Sequence, residues 1–248
     1  MTHPVARLKE QFDIGSDRVR DMPSPKGVDR IVAVSMPEDR SFDRWEELDR
    51  AAAPLGYAAI CVGSEESIAD VADHVEIMDS FDFVAELERA RSHDVKAWLD
   101  ERERSIVEFS GDLPTGPWDD DAPKGGFWFP YKDEKHLDPW WLVLVPAQER
   151  WMALLALAYG SWNDCPEPRV HAALCRYWAE TCGAHLVACS GDTLEFLVDR
   201  PPSTKTAALE LAREHFLYCT DIVDQGCRTI TALASRLFEG GVWSFWWD

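Results

Sequence analysis

Apolar residues come in short bursts over the first 110 positions and in longer, more regular patterns over the last 110. Residues 1–30 are polar and carry Pro23, Pro25 and Gly27, which reads as a helical or loose lead-in. Residues 31–35 form an apolar, β-branched run, the signature of a buried strand. Ser41 offers an N-cap for a helix through Ala53, with Phe42, Trp45, Leu48 and Ala52 on one face and Pro54 and Gly56 stopping it. Residues 57–62 supply a second strand, so this stretch predicts a β-α-β unit with a connection long enough for a parallel crossover. Its turn, Met36-Pro37-Glu38-Asp39-Arg40, is acidic and lacks the glycines that cradle phosphate. Residues 80–109 are helical and charged, anchored by Phe81, Val84, Leu87, Val95, Trp98 and Leu99.

Residues 111–139 are dense in Pro, Gly and Asp and read as an internal connector, with Phe127, Trp128 and Phe129 pinning part of it. Beyond it the pattern sharpens. Residues 141–145 are a strand, and Pro168 opens a helix through Glu180 whose Val170, Leu174, Tyr177 and Trp178 share a face. Residues 185–189 and 193–198 flank Ser190-Gly191-Asp192, a hairpin. Helices follow over 204–218 and 228–238, Gly240-Gly241 ends the second, and an aromatic strand closes at 242–247. The fold class expected is α+β, a mixed sheet flanked by helices. It divides into an acidic N-terminal α/β region (1–110), a connector (111–139) and a C-terminal α+β domain (140–248).

Charge narrows the functional field. Twenty-five Lys and Arg face 45 Asp and Glu, a net of −20, which repels phosphate backbones and anionic headgroups. Between Glu65 and Glu101 twelve acids face three bases, so nearly half the excess sits in one stretch. Direct nucleic-acid binding is not expected, and neither is membrane association. The apolar runs at 140–146 and 151–159 fall short of the about 20 residues a bilayer requires. Seven cysteines without regular spacing fit reduced thiols, and with no signal-peptide pattern at the start the expected location is the cytoplasm.

Several ordered motifs resemble a bacterial family. They are Gly160-Ser161-Trp162-Asn163-Asp164-Cys165-Pro166, then His171 and Trp178, then Asp192 to Glu195 ahead of Arg200-Pro201-Pro202. Residues 218–226 (Tyr218-Cys219-Thr220-Asp221-Ile222-Val223-Asp224-Gln225-Gly226) and the ending Trp243-Ser244-Phe245-Trp246-Trp247-Asp248 complete them. This C-terminal part, about residues 139–248, resembles the domain-of-unknown-function 4253 family, with Ser161 where a second glycine is expected. The resemblance implies an intracellular bacterial domain and supplies no mechanism.

Candidate chemistry centres on few residues. Cys165 lies just before a helix amino terminus, which favours a thiolate, and His171 or His215 could act as its base. Against this, Asp164 and Glu167 flank the thiol, and buried, inert cysteines are common. His171 with Cys175, and His215 with Cys219, each lie four apart on one helical face, so facing helices would assemble a two-Cys, two-His metal set. Core packing explains Cys175 equally well. Asp192 with Glu195, or Asp221 with Asp224, could do acid–base work, but Asp192 suits a turn, Glu195 a solvated strand position and Asp221 a helix cap. Trp162 and Asn163 either line a pocket or hold a buried tight turn; Asp164, His215 and Gln225 join them as candidate ligand contacts. No cofactor is expected. Two functional classes remain. The first is a non-enzymatic, immunity- or inhibitor-like protein whose acidic surface takes a basic protein partner. The second is a small hydrolase or transferase centred on Cys165.

Overall fold

A computed structural model describes residues 3–36, 42–78, 80–126 and 140–248. In chain order its elements begin with α1 (Pro4–Gln11), β1 (Val19–Asp21), β2 (Val32–Ser35), α2 (Phe42–Ala52) and β3 (Tyr57–Gly63). Three further helices follow, α3 (Glu65–Ile77), α4 (Phe83–Ser92) and α5 (Val95–Ser110), before β4 (Trp141–Pro146) and the short α6 (Ala153–Ala156). The chain ends with α7 (Pro168–Cys182), β5 (Ala184–Cys189), β6 (Thr193–Val198), α8 (Lys205–Tyr218), a π-turn (Ile222–Cys227), α9 (Ile230–Leu237) and β7 (Val242–Trp246).

The strands form one mixed sheet ordered β1-β2-β4-β3-β5-β6-β7. β4 runs antiparallel to both β2 and β3, pairing Val32 with Leu144 on one side and Ile60 with Val143 on the other. The expected β-α-β crossover is therefore split, because a strand from far along the chain sits between its two parallel members. A central strand covered on both faces has no polar side, which is why Trp141 to Val145 are all buried. Alternation sorts the strand residues cleanly. Val32, Val34, Tyr57, Ala59, Leu142 and Leu144 meet α1 and α2 on one face. Ala33, Ala58, Ile60, Trp141, Val143 and Val145 join the larger core under the remaining helices.

β3 and β5 form a parallel pair near the middle of the sheet, and each is bulged near their junction at Cys61 and Ala188. A nearly buried ion pair between Asp49 and Arg150 reinforces it. Asp49 also accepts the Ala59 N–H at 3.0 Å, and Arg150 donates to the Leu186 carbonyl at 3.1 Å, so both charges are further hydrogen-bonded. Glu195 departs from expectation. It is fully buried, on the sheet face opposite Leu194 and Phe196, and accepts the Ser244 hydroxyl at 3.3 Å.

Helix ends follow local chemistry. Ser64, Asp82, Asp94, Thr204 and Thr229 each accept an N–H from the first turn of the helix they open. The predicted helix over 80–109 is two helices, divided at His93-Asp94. The described part of the connector lies along α9, where Gly116 and Asp119 donate to Thr231 and Ser235. Ser41, the turn after Met36 and the aromatic triplet 127–129 lie outside the described residues.

Candidate functional site

The loop between α6 and α7 carries unusual backbone. Ala158, Ser161 and Asn163 have φ of 48°, 78° and 45°, and Gly160 has 115°. A Cβ on Gly160 would stand 2.0 Å from the Pro166 carbonyl oxygen and 2.8 Å from the His171 ring, so only glycine fits. The left-handed φ at Ser161 explains why a glycine suits that position too. Three left-handed non-glycine residues in six store strain, and such strain persists only where neighbours hold it. Here the Ser161 N–H donates to Pro166 at 3.0 Å and Cys165 to Trp162 at 2.8 Å. The Asn163 amide donates to the Asp248 carbonyl at 3.0 Å.

Beneath this loop lies a buried polar cluster. His171 places Nε2 3.3 Å from Cys165 Sγ and Nδ1 2.5 Å from the Tyr218 hydroxyl. The Tyr218 O–H has no other partner among the described residues, so leaving it undonated would cost more than leaving a weak thiol donor unused. Tyr218 therefore donates to Nδ1, and His171 carries its proton on Nε2, facing sulfur. The nearby Pro166 carbonyl favours the same proton. An imidazole in that tautomer cannot take the thiol proton. Burial pushes the His171 pKa down to about 3 and drives the Cys165 thiol far up, with Cys219, Cys189 and Asp164 adding to the rise. Both groups are neutral across the physiological range. The arrangement fastens the strained loop to α7 and α8.

The other proposed ligands go elsewhere. His215 is enclosed by Trp178, Trp243 and Phe245, where burial lowers its pKa to about 3. Cys219 donates to the Trp246 carbonyl at 2.9 Å, and Cys175 is a buried thiol raised by desolvation. The two-Cys, two-His set does not assemble: among the described residues no three or more His, Cys, Asp or Glu side chains are grouped to hold a metal ion.

Above the cluster, separate motifs meet. Asp164 pairs with Arg102 of α5 and accepts the Thr220 hydroxyl at 3.5 Å. Asp221, expected as a cap, instead accepts the Asp248 N–H at 3.0 Å and the Gln225 amide at 3.2 Å. Residues 160–166, the π-turn and the final aromatic strand thus share one surface. Residues 141–248 match the family model of a domain of unknown function, DUF4253, starting at the first residue of β4. The C-terminal part of this chain is similar to that family. No curated protein and no solved structure matches the chain.

The DUF4253-like region does not form this surface alone. α3, which the sequence reading passed over, lies against it. His74 stacks on Trp162 with centroids 4.4 Å apart and planes at 16°, and donates from Nε2 to the Gly191 carbonyl at 3.0 Å. Asp70 packs so close to Gly191 that an added Cβ would meet it at 2.9 Å. Tyr159 fills the space between His74, Trp162 and His171. The resulting face carries Glu66, Asp70, Asp73, Asp164, Asp192, Asp224 and Asp248, all exposed. Among the described residues only Asp164 of these has an ion-pair partner. Burial, then Glu66 and Asp73, hold the Asp70 carboxyl above its usual range, with His74 opposing the rise. His74 and Tyr159 were missed by sequence reasoning, and Tyr218 was named only as part of a family motif. The spacing of Ile68, Val71 and Val75 after Ser64 was the available signal for α3.

Proposed function

We propose that this chain is a binding protein, immunity- or inhibitor-like, whose acidic face takes a basic protein partner. The observation that carries this reading is the continuity of the face. α3 supplies carboxylates from the acid-rich N-terminal stretch, and the hairpin turn, the strained loop and the π-turn supply more from the DUF4253-like region. Like charges crowded without counter-ions cost folding free energy, and a cationic partner would relieve that cost while speeding encounter. Half-exposed Trp162 among them supplies the aromatic type that anchors interfaces. No helix among the described residues is long and apolar enough to cross a membrane.

The test is affinity capture from a native extract at low salt, with wild type beside a Glu66→Gln, Asp70→Asn, Asp73→Asn variant. Recovery of a basic protein by wild type alone, reversed by raising the salt, is the expected outcome. Equal recovery by the variant, or no basic partner for either, rejects the reading.

A further inference from the structure

Residues 112–126 of the connector hold no helix or strand, yet they are not a loose loop. Pro114, Gly116 and Trp118 are half-buried, and Thr115, Pro117 and Asp119 between and after them are exposed. That alternation is the period of an extended peptide laid along a surface. The surface belongs to α9 and the start of α8. Thr231 and Ser235, one turn apart on α9, accept the Gly116 and Asp119 N–H groups at 3.3 and 3.0 Å. The Pro114 carbonyl accepts the Ile230 N–H at 2.8 Å. Trp118 meets the Phe238 ring edge-on at 5.9 Å and lies beneath the Lys205 ammonium at 4.6 Å, and Lys205 also pairs with Asp120 at 2.7 Å. A Cβ on Gly116 would stand 2.9 Å from the Thr229 methyl, so a branched residue there would lift the segment.

The groove stands without its occupant. Lys205, Thr229, Thr231, Ser235 and Phe238 all fall within the matched residues 141–248, whereas the segment lies outside them. α9 is capped by its own Thr229, which accepts the Ala232 N–H at 3.0 Å, and Ile230, Leu233, Ala234 and Leu237 bury its other face. The ion pair that helps to hold the segment is exposed, the kind that adds little.

We propose that α8 and α9 form a peptide-binding groove, filled here by the chain's own residues 114–120, which an extended, acidic, tryptophan-bearing segment of a protein partner can displace. The resident sequence Pro114-Thr115-Gly116-Pro117-Trp118-Asp119-Asp120 defines the ligand: a small residue, an indole two positions on and a carboxylate two beyond that. Main-chain bonds to Thr231 and Ser235 give affinity to any extended backbone, and the seat between Lys205 and Phe238 gives selectivity. Tethering gives the resident segment an effective concentration on the order of millimolar, so it excludes weak ligands and yields to a better one. The groove is separate from the acidic face, and its ligand carries the opposite charge to the partner proposed there.

Fluorescence anisotropy of a labelled synthetic peptide of residues 112–126, titrated with the full chain, tests the exchange. A chain carrying Gly116→Val with Trp118→Ala loosens its own segment and leaves every groove residue in place. It is expected to bind the peptide in the micromolar range, and wild type at least about tenfold more weakly, because its groove is filled. Trp118→Ala in the peptide, or Lys205→Glu added to the loosened chain, is expected to weaken that binding by at least about tenfold. No binding by a loosened chain that melts as cooperatively as wild type overturns the proposal. So does equal binding by wild type and the loosened chain, or indifference to Trp118→Ala in the peptide, since either places the peptide elsewhere. Should the loosened chain fail to fold, hydrogen exchange of the unaltered wild type decides. Gly116 and Asp119 amides exchanging at least about a hundredfold faster than those of Leu233 and Leu237 show a segment that leaves a standing groove. A smaller difference shows a segment that leaves only as the groove itself unfolds, and overturns the proposal.

Discussion

Two neighbouring regions of this molecule invite opposite readings. The cluster of Cys165, His171 and Tyr218 has the residue types of a nucleophilic centre, held at hydrogen-bond distance. The acidic face above it has residue types that more often merely keep a surface hydrated. Environment reverses the two. Desolvation leaves the thiol and imidazole neutral, and the Tyr218 hydroxyl fixes the tautomer that cannot act as base. The carboxylates meanwhile are exposed, and among the described residues only Asp164 of them has an ion-pair partner. Residue identity nominates chemistry, and burial with proton placement decides whether it is usable.

The largest expected effect is on acid stability, because His171 and His215 are both buried and both lowered to about 3. A histidine whose folded pKa lies below its unfolded value of about 6.5 contributes stability above that value, and the contribution is lost as pH falls toward 3. Each group costs about 1.4 kcal/mol per pH unit in that window, so the pair removes about 4 kcal/mol between pH 7 and pH 5. His74 and His93, also lowered chiefly by burial, act in the same direction. Raised Asp70 opposes the trend only near carboxylate pH values. Urea unfolding at pH 7, 6 and 5 checks this; stability unchanged down to pH 5 would mean the two imidazoles are not held neutral.

A smaller effect is expected of Tyr218→Phe. It removes the donor that meets His171 Nδ1 and leaves a buried nitrogen unpaired, at a cost of about 1–3 kcal/mol. Freed from that donor, His171 can move its proton to Nδ1 and accept from Cys165. Alkylation of native Cys165 by iodoacetamide is therefore expected to be slow in wild type and faster in the variant, after correction for stability. Fast alkylation of wild type would return the cluster to the list of active nucleophiles.

Much of the DUF4253-like region was legible because its signals are local. Pro168 opens α7 and Gly183, at φ 64°, closes it; Ser190 to Asp192 make the hairpin turn that the alternation around them implies. The position of β4 was not legible. Its apolar run marks a strand, but pairing with both β2 and β3 depends on contacts about 80 to 110 residues away, which no window contains. Glu195 was misjudged for a related reason, since a charge on an alternating strand looks solvated until both sheet faces prove covered. The candidate site divided likewise. Cys165 and His171 are six apart with a shared helix start, so their meeting could be anticipated. Tyr218, 47 residues on, enters only through the packing of α8 against α7, and His74 only through the docking of α3.

The smallest effect offers the sharpest contrast between the two regions. Neutralising Asp70 and Asp73 to Asn removes exposed charge from a crowded face without opening a cavity or stranding a buried partner. The change in stability is expected to stay within about 0.5 kcal/mol, and to be favourable, because like charges are separated rather than an ion pair broken. Added salt should erase the gain, since screening already weakens the repulsion in the wild type. Thermal melts of both proteins at low and high salt measure this. A loss of stability that persists in high salt would show these carboxylates to be structural, tied to Gly191 and the hairpin turn rather than held ready for a partner. The acidic face would then join the buried cluster as scaffold, and the search for function would move to other surfaces of α5 and the π-turn. A gain that salt abolishes leaves the face as charge the fold tolerates and a cationic partner can use.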